Sequence, residues 1–166
     1  MLKKERLLSN VVPHRTVKKI VKLPSTLDLP NLFSEFLNEF DRLFPDEGSI
    51  KALGQIYIVC GLPLSGKTRW INRHEPSRAG ISLYVERTNQ TSAIRSFLVG
   101  RLRKRTSSEI TCVWIAGDPD TSKKRCRATH QGIAHVDVES EIQRVSSESQ
   151  TVSILEDFDV ILPVRG

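Results

Sequence analysis

The chain has 166 residues and a mass of 18.8 kDa, with 39% hydrophobic and 27% charged residues, a composition typical of one compact globular domain with an appendage. No stretch approaches the roughly 18 apolar residues that a membrane-spanning helix needs, which excludes an integral membrane protein. The cysteines, Cys60, Cys112 and Cys126, form no CxxC pair and indicate neither a zinc ribbon nor a disulfide framework. We therefore expect a cytoplasmic, intracellular protein.

The net charge of +6 is concentrated at one end of the chain. Residues 1–22 hold seven Lys or Arg residues and one acid, whereas residues 23–166 hold eighteen bases and eighteen acids. A second basic stretch, residues 87–105, has six Lys or Arg residues and no acid. The sequence leaves two interpretations open: nucleic acid contacts both basic stretches, or their charges lie on solvated surfaces.

The N-terminal part of the chain divides into two predicted segments. Residues 1–27 lack a steady apolar period and are interpreted as a basic, mobile arm. Residues 28–49 form a predicted helical extension, in which Pro30 opens an amphipathic helix over residues 31–44. We expect this helix to pack on the main domain as an additional core element, and a docking helix for a partner is the alternative. The oligomeric state stays open.

Strands and helices alternate through the predicted main domain, residues 50–166. The predicted strands are residues 55–60, 81–85, 110–116 and 160–164, the last at a sheet edge because it contains Pro163. The predicted helices are residues 66–74, 94–105, 121–131 and 137–147. This alternation predicts an α/β fold of three layers around a small, mostly parallel sheet.

Residues 61–68 read GLPLSGKT and match GxxxxGK[ST], the pattern of a phosphate-binding loop, between a predicted strand and a predicted helix. Its glycines let the backbone curl so that N–H groups point at phosphate oxygens. Lys67 is expected to contact the β- and γ-phosphates of a nucleotide, and the Thr68 hydroxyl to bind Mg²⁺. The predicted binding residues are Gly61, Leu62, Pro63, Leu64, Ser65, Gly66, Lys67 and Thr68.

Four segments resemble the polynucleotide kinase-like branch of the small P-loop kinases. GLPLSGKTRWINRH, with Trp70, is similar to the start of that family. ERTNQTSAIRSFLVGRL resembles its DTN strand end and Arg-bearing helix, WIAGDPDTSKKRCR its Asp-Pro strand end and Arg-rich lid helix, and LEDFDVILPV its terminal strand. The resemblance spans residues 55–164 and implies a P-loop NTPase fold that binds ATP and Mg²⁺ and phosphorylates a 5′-hydroxyl of a polynucleotide.

The sequence also departs from that family. Leu64 stands where small kinases often have glycine. Glu86 corresponds either to the aspartate that activates the accepting hydroxyl or to the aspartate of DTN; in the second case one β–α unit and the usual base are missing. Glu86 is therefore either a base or Mg²⁺ ligand or a surface acid. Asp118 is a second candidate carboxylate or a turn residue. Arg125 and Arg127 lie where a lid would reach the γ-phosphate or the adenine.

The leading functional hypothesis is an ATP-dependent kinase similar to a polynucleotide 5′-hydroxyl kinase. The alternatives are a kinase for a nucleoside, sugar or antibiotic, and a nucleotide-binding protein that no longer transfers phosphate. NTP hydrolysis coupled to motion is disfavoured, because no apolar run ending in Asp-Glu follows the loop.

Overall fold

The computed structural model of the protein describes residues 16–24, 28–77, 79–129 and 133–165. Within these ranges the strands are β1 (Thr16–Lys22), β2 (Leu53–Cys60), β3 (Gly80–Glu86), β4 (Glu109–Ala116) and β5 (Val160–Arg165). The helices are α1 (Leu29–Leu43), α2 (Glu47–Lys51), α3 (Lys67–Arg73), α4 (Ser92–Arg103), α5 (Pro119–Thr129) and α6 (Ile133–Glu148).

The five strands form one parallel sheet in the order β1-β3-β2-β4-β5. The predicted α/β class and the parallel sheet are confirmed, as is the edge position of the strand that contains Pro163. β2 lies at the centre, so the 61–68 loop leaves the sheet between the carboxyl ends of β3 and β4. In open parallel sheets this is the edge at which ligands bind.

Helices cover both faces of the sheet, as a three-layer arrangement requires. On one face, α1 and α4 enclose a core that includes Cys60 and Cys112, both fully buried. On the other face, α3 packs Ile71 and Trp70 against aromatic and aliphatic side chains of the sheet: Tyr57, Val59, Tyr84, Val113 and Ile115.

The amphipathic helix predicted at residues 31–44 is α1, and it belongs to the core. The Asp28 side chain caps it by accepting a hydrogen bond from the Asn31 N–H at 3.0 Å. Pro30 lies in the first turn, where the helix needs no N–H donor. The apolar face is buried through Leu32, Phe36 and Phe40. The packing expectation is therefore confirmed, and this face is not exposed for a docking partner.

The interpretation of residues 1–27 as a mobile arm is wrong for residues 16–22, which form β1; residues 1–15 lie outside the described residues. β1 pairs with β3 along its whole length, with Lys22 beside Glu86 at the end. Since β1 and α1 share one core with β2 and β3, the predicted boundaries at 27/28 and 49/50 do not separate structural units.

The lysines of β1 explain why its apolar pattern is weak. Lys19 Nζ donates a hydrogen bond to the carbonyl oxygen of Leu43 at 2.6 Å, which places a cation at the carboxyl end of α1. Lys18 Nζ donates to the carbonyl oxygen of Ile71 at 2.9 Å, in α3. These lysines bind helix carbonyls on both faces of the sheet, a role that hydrophobic periodicity does not reveal.

Two valines of β1 provide a test of its place in the core. Val21 is fully buried and Val17 is half exposed. Val21→Ala should lower the free energy of unfolding by about 2 kcal/mol, because it removes two buried methyl groups. Val17→Ala should change it by less than about 0.5 kcal/mol. Urea denaturation measures both values, and an equal effect of the two substitutions would contradict the buried edge strand.

Candidate functional site

Backbone geometry in the 61–68 loop accounts for its glycines. A Cβ at Gly61 would lie 2.6 Å from Ser65 Oγ and 3.2 Å from the carbonyl oxygen of Ile115, so the loop closes against β4 only if residue 61 has no side chain. Gly66 has open space around its Cα but a φ of +103°, a conformation that side chains rarely adopt. Both glycines of the motif are thus required, the first by contact and the second by conformation.

Leu64 also lies in the left-handed region, with a φ of +61°. This conformation costs a residue with a Cβ about 1–2 kcal/mol, which explains why glycine is favoured there. The Leu64 carbonyl oxygen accepts a hydrogen bond from Arg125 Nη1 at 3.0 Å. The departure from glycine at this position is therefore accommodated with strain, and a cation from α5 holds the loop in that shape.

The Lys67 ammonium is enclosed by the loop that carries it. Its Nζ donates hydrogen bonds to the carbonyl oxygens of Gly61 at 3.0 Å and Leu62 at 2.7 Å, and the residue is only 9% exposed. Burial lowers the pKa of Lys67 to about 8, and the nearby Glu86 carboxylate acts against this shift. A bound anion would add to the counter-charge that Glu86 supplies to this ammonium.

Thr68 and Glu86 form a pair of oxygen ligands at the mouth of the loop. Thr68 Oγ1 donates a hydrogen bond to Glu86 Oε1 at 2.5 Å. Glu86 Oε2 is buried and accepts no hydrogen bond from the described residues, although Lys22 Nζ lies 3.6 Å away. Because the hydroxyl proton is directed at Glu86, the lone pairs of Thr68 Oγ1 remain available to a cation.

Two more buried polar atoms lack partners in the described part of the chain: Ser65 Oγ and Asn89 Oδ1. Ser65 is only 2% exposed and lies inside the loop, where its hydroxyl can donate to a bound anion. Asn89 holds the loop strand in place, since its Nδ2 donates to the carbonyl oxygen of Val59 at 3.0 Å. An unsatisfied hydroxyl in the loop is the expected sign of a site for a hydrogen-bonding ligand.

Asp118 acts as a helix cap in this structure. Its carboxylate accepts hydrogen bonds from the N–H groups of Asp120 and Thr121 and from the Thr121 hydroxyl, at 3.0–3.4 Å, where α5 begins. The hydrogen bond from the Thr121 side chain lowers the pKa of Asp118. Of the two interpretations of Asp118 from the sequence, the structure therefore agrees with the turn residue. Asp118 also lines neither of the two cavities that Lys67 and Glu86 line, which are described below.

The two predicted lid arginines have different positions. Arg125 reaches the loop through its hydrogen bond to Leu64. Arg127 Nε instead lies 2.5 Å from Glu139 Oε1 in α6 and forms an ion pair there. The structure therefore brings Arg125 into the site and leaves Arg127 outside it.

The basic stretch 87–105 is not the uniform cationic surface that its sequence indicates. Arg87 and Arg95 are 4% and 0% exposed, so their guanidinium groups do not face solvent. Three of the arginines form ion pairs with acids distant in sequence: Arg95 with Glu156, Arg103 with Asp159 and Arg105 with Asp41. Neither a nucleic-acid contact through the whole stretch nor a fully solvated helix face describes this segment.

Among the cavities formed by the described residues, one is lined by Gly61 and Leu62 at the start of the loop, and three others are lined by residues of its 63–68 part. The loop cavity, of about 360 Å³, is lined by Leu64, Gly66, Lys67, Thr68, Arg69, Glu86 and Arg125. The β1-side cavity, of about 200 Å³, is lined by Lys22, Leu23, Pro63, Lys67, Glu86, Arg87 and Thr88. The arginine pocket, of about 340 Å³, is lined by Ser65, Gly66, Arg69, Trp70, Arg73, Ile115, Arg125, Val164 and Arg165. Lys67 and Glu86 line the loop cavity and the β1-side cavity, so these open on the same pair of charges.

Sequence reasoning missed Lys22 and the role of Asn89. Lys22 was assigned to the arm, and only the pairing of β1 with β3 brings its ammonium to Glu86. Asn89 lies in the ERTN segment that follows β3. Its φ of 46° is in the left-handed region, which asparagine adopts more readily than most residues, and in this conformation its side chain binds the end of β2.

Comparison with known proteins does not assign the chain to a family. No protein-family model matches it, and no curated protein is significantly similar to it. Within the described residues, none of the helices combines the length and the apolar character that crossing a membrane requires.

The pKa of Lys67 leads to a pH dependence of anion binding. An ammonium with a pKa of about 8 is charged at pH 7 and mostly neutral at pH 9.5, so phosphate binding must be accompanied by proton uptake at high pH. The affinity for ADP in EDTA should fall about tenfold per pH unit above 8. Isothermal titration calorimetry at several pH values measures this slope.

Lys67→Met is the matched control for this experiment, because it removes the titrating group and keeps an apolar stem. It should bind ADP weakly and with no pH dependence between 7 and 9.5. A wild-type affinity that stays constant over this range would show that the Lys67 ammonium does not bind the phosphates.

Proposed function

We propose that the protein binds ATP with its polyphosphate in the loop cavity and transfers the γ-phosphate to a hydroxyl. The buried, undercompensated Lys67 ammonium beside the Thr68–Glu86 pair is the observation that carries this proposal. The resemblance to the polynucleotide kinase-like branch also supports it. That resemblance implies that the loop binds the phosphates, that the strand end with Glu86 supplies a carboxylate, and that the arginine-bearing helix reaches the nucleotide. The P-loop NTPase identity of the fold is part of the proposal.

Several groups in the loop cavity suit a nucleoside triphosphate. Lys67 and the Ser65 hydroxyl would bind phosphate oxygens, and the left-handed Gly66 turns the backbone at the same point. Arg125 would neutralise charge on the terminal phosphate, because it already reaches the loop. Phosphoryl transfer depends chiefly on such positioning and charge stabilisation.

The oxygen ligands at the loop also fit Mg²⁺. Mg²⁺ prefers one or two protein oxygens together with phosphate oxygens and water, and Thr68 and Glu86 offer that number. Thr68 Oγ1 would coordinate directly, and Glu86 would orient it by accepting its hydrogen bond at 2.5 Å. When bound, Mg²⁺ neutralises charge on the β- and γ-phosphates. This placement favours the alignment of Glu86 with the aspartate of DTN.

The β1-side cavity is the proposed place of the accepting hydroxyl. It meets the loop cavity at Lys67 and Glu86, so a hydroxyl there would face the γ-phosphate from the side opposite α5. Lys22 contributes a cation on this side. The β1-side cavity has a volume of about 200 Å³, which is enough for one small group, such as a terminal sugar hydroxyl with its neighbouring atoms.

A nucleotide-binding protein without transferase activity is the second candidate. Among the described residues, Glu86 is the one carboxylate that lines the loop and β1-side cavities. If Glu86 orients the metal ligand, the described residues that line these two cavities include no second carboxylate to accept the hydroxyl proton. The loose transition state of phosphoryl transfer reduces the need for such a base, which is why transfer remains the first proposal.

An acceptor panel separates the two candidates. The purified protein is incubated with γ-labelled ATP and Mg²⁺ and offered DNA and RNA oligonucleotides with 5′-hydroxyl ends, then nucleosides, sugars and aminoglycoside antibiotics. Label in an oligonucleotide supports a polynucleotide kinase, and label in a small acceptor supports a small-molecule kinase. ATP that is bound but left intact supports the binding protein, and failure to bind ATP rejects both candidates.

The role of Glu86 can be tested by removing its charge. Glu86→Gln should reduce the gain in ATP affinity that Mg²⁺ provides, and the rate of any transfer, by about 10–100-fold, as for other residues that orient a metal ligand. Binding of ATP in EDTA should change much less. Calorimetry with and without Mg²⁺ gives both numbers.

Asp118→Asn is the control for this substitution, since asparagine caps a helix about as well as aspartate. It should retain the Mg²⁺ effect and the parental rate. If Asp118→Asn removes the Mg²⁺ effect and Glu86→Gln keeps it, the metal is bound at Asp118 and the proposed arrangement is wrong.

A further inference from the structure

The arginine pocket lies next to the loop cavity, on the face of the sheet that α3 covers. Ser65 and Gly66 of the loop line it, so a ligand in the loop can extend into it. Trp70, Ile115 and Val164 provide apolar and aromatic surface. Trp70 is held in place by stacking on His74, with ring centroids 4.4 Å apart. Such a surface suits a flat, uncharged group such as a nucleobase.

The charge around this surface is entirely positive among the described residues. Arg69 and Arg73 lie four residues apart on α3 and therefore on one side of the helix. Arg165 ends β5, where it is paired with Ala116 of β4. The ion pairs formed within the described residues involve none of these three arginines.

The arginines divide into two groups by the cavities that they line. Arg69 and Arg125 line both the loop cavity and the arginine pocket, so they are available to the 5′-phosphates. Arg73 and Arg165 line the arginine pocket but not the loop cavity. A nucleobase carries no charge that these arginines could neutralise, and Lys67 already offers a cation to the 5′-phosphates. Two guanidinium groups thus remain on the nucleoside side of the site.

We infer that the site binds, more tightly than nucleotides with an unmodified ribose such as ATP, a nucleotide that carries a phosphate at the 2′ or 3′ position of its ribose in addition to its 5′-phosphates, and that Arg73 and Arg165 bind this phosphate. The inference rests on the proposed function, since it assumes that the 5′-phosphates occupy the loop cavity. Guanidinium groups bind phosphate through paired, charge-assisted hydrogen bonds, which makes arginine suited to this role. The alternative is that the two guanidinium groups stack on the nucleobase. In that case their removal would weaken the binding of nucleotides with and without a ribose phosphate equally.

Binding of matched nucleotides tests the inference. ADP, AMP, adenosine 2′,5′-bisphosphate and adenosine 3′,5′-bisphosphate are titrated into the full-length protein by calorimetry. One of the bisphosphates should bind at least about tenfold more tightly than AMP, the gain that one or two charge-assisted hydrogen bonds provide. Its affinity should also fall more steeply with salt than that of AMP. Comparison of the two bisphosphates identifies the ribose position.

Substitutions then assign the effect to residues. Arg73→Gln and Arg165→Gln should each lower the ratio of bisphosphate to AMP affinity to within about threefold of one, and Arg73→Lys should retain part of it. Arg101→Gln is the control, because Arg101 is exposed on α4 and stacks over Phe97 instead. Circular dichroism checks that the variants fold, as expected for substitutions of exposed side chains.

The outcomes separate this inference from the proposed function. ADP binding with no preference for either bisphosphate overturns the inference and leaves the proposed function standing. Equal losses of AMP and bisphosphate affinity in Arg73→Gln and Arg165→Gln also overturn it, because they indicate stacking on the base. Failure of all four nucleotides to bind rejects the proposed function, and the inference with it.

Discussion

The 61–68 loop is held between the carboxyl ends of two strands, and the rest of the site depends on this clamp. On one side, the Gly61 N–H donates a hydrogen bond to the carbonyl oxygen of Thr88 at 3.1 Å, just beyond β3. On the other side, the loop lies so close to the end of β4 that a Cβ at Gly117 would be 3.2 Å from Ser65 Cβ. Because β2, β3 and β4 are parallel, these contacts meet at one edge of the sheet.

The conformation and burial of the loop residues lower the stability of the folded protein. Leu64 lies in a left-handed conformation, Lys67 is buried with only carbonyl oxygens as direct partners, and the Ser65 hydroxyl has no partner in the described residues. Each feature costs on the order of 1–3 kcal/mol, a large share of the 5–15 kcal/mol that stabilises a typical domain. Together they describe a loop that lowers the stability of the fold, so the protein core supplies that stability.

Charge pairing divides the molecule into two sides. On the α1 and α4 side, the arginines of the basic stretch form ion pairs with acids such as Asp41, Glu156 and Asp159, so their charge is offset within the protein. On the α3 side, Arg69 and Arg73 take part in none of the ion pairs formed within the described residues. A basic run in the sequence is therefore a poor guide to a basic surface, since the fold decides which charges are neutralised.

The sequence by itself determined the α/β class, the four strands and four helices of the main domain to within a few residues, and the candidate loop with Lys67 and Thr68. These features rest on local information: apolar periodicity, glycine spacing and the position of proline at the sheet edge. The tertiary structure alone decided that residues 16–22 form β1, that Lys22 and Glu86 meet, that Asp118 caps α5, and that Arg125 but not Arg127 reaches the loop. Each of these depends on which strands are neighbours and on side-chain pairs far apart in the chain, and no local pattern carries that information.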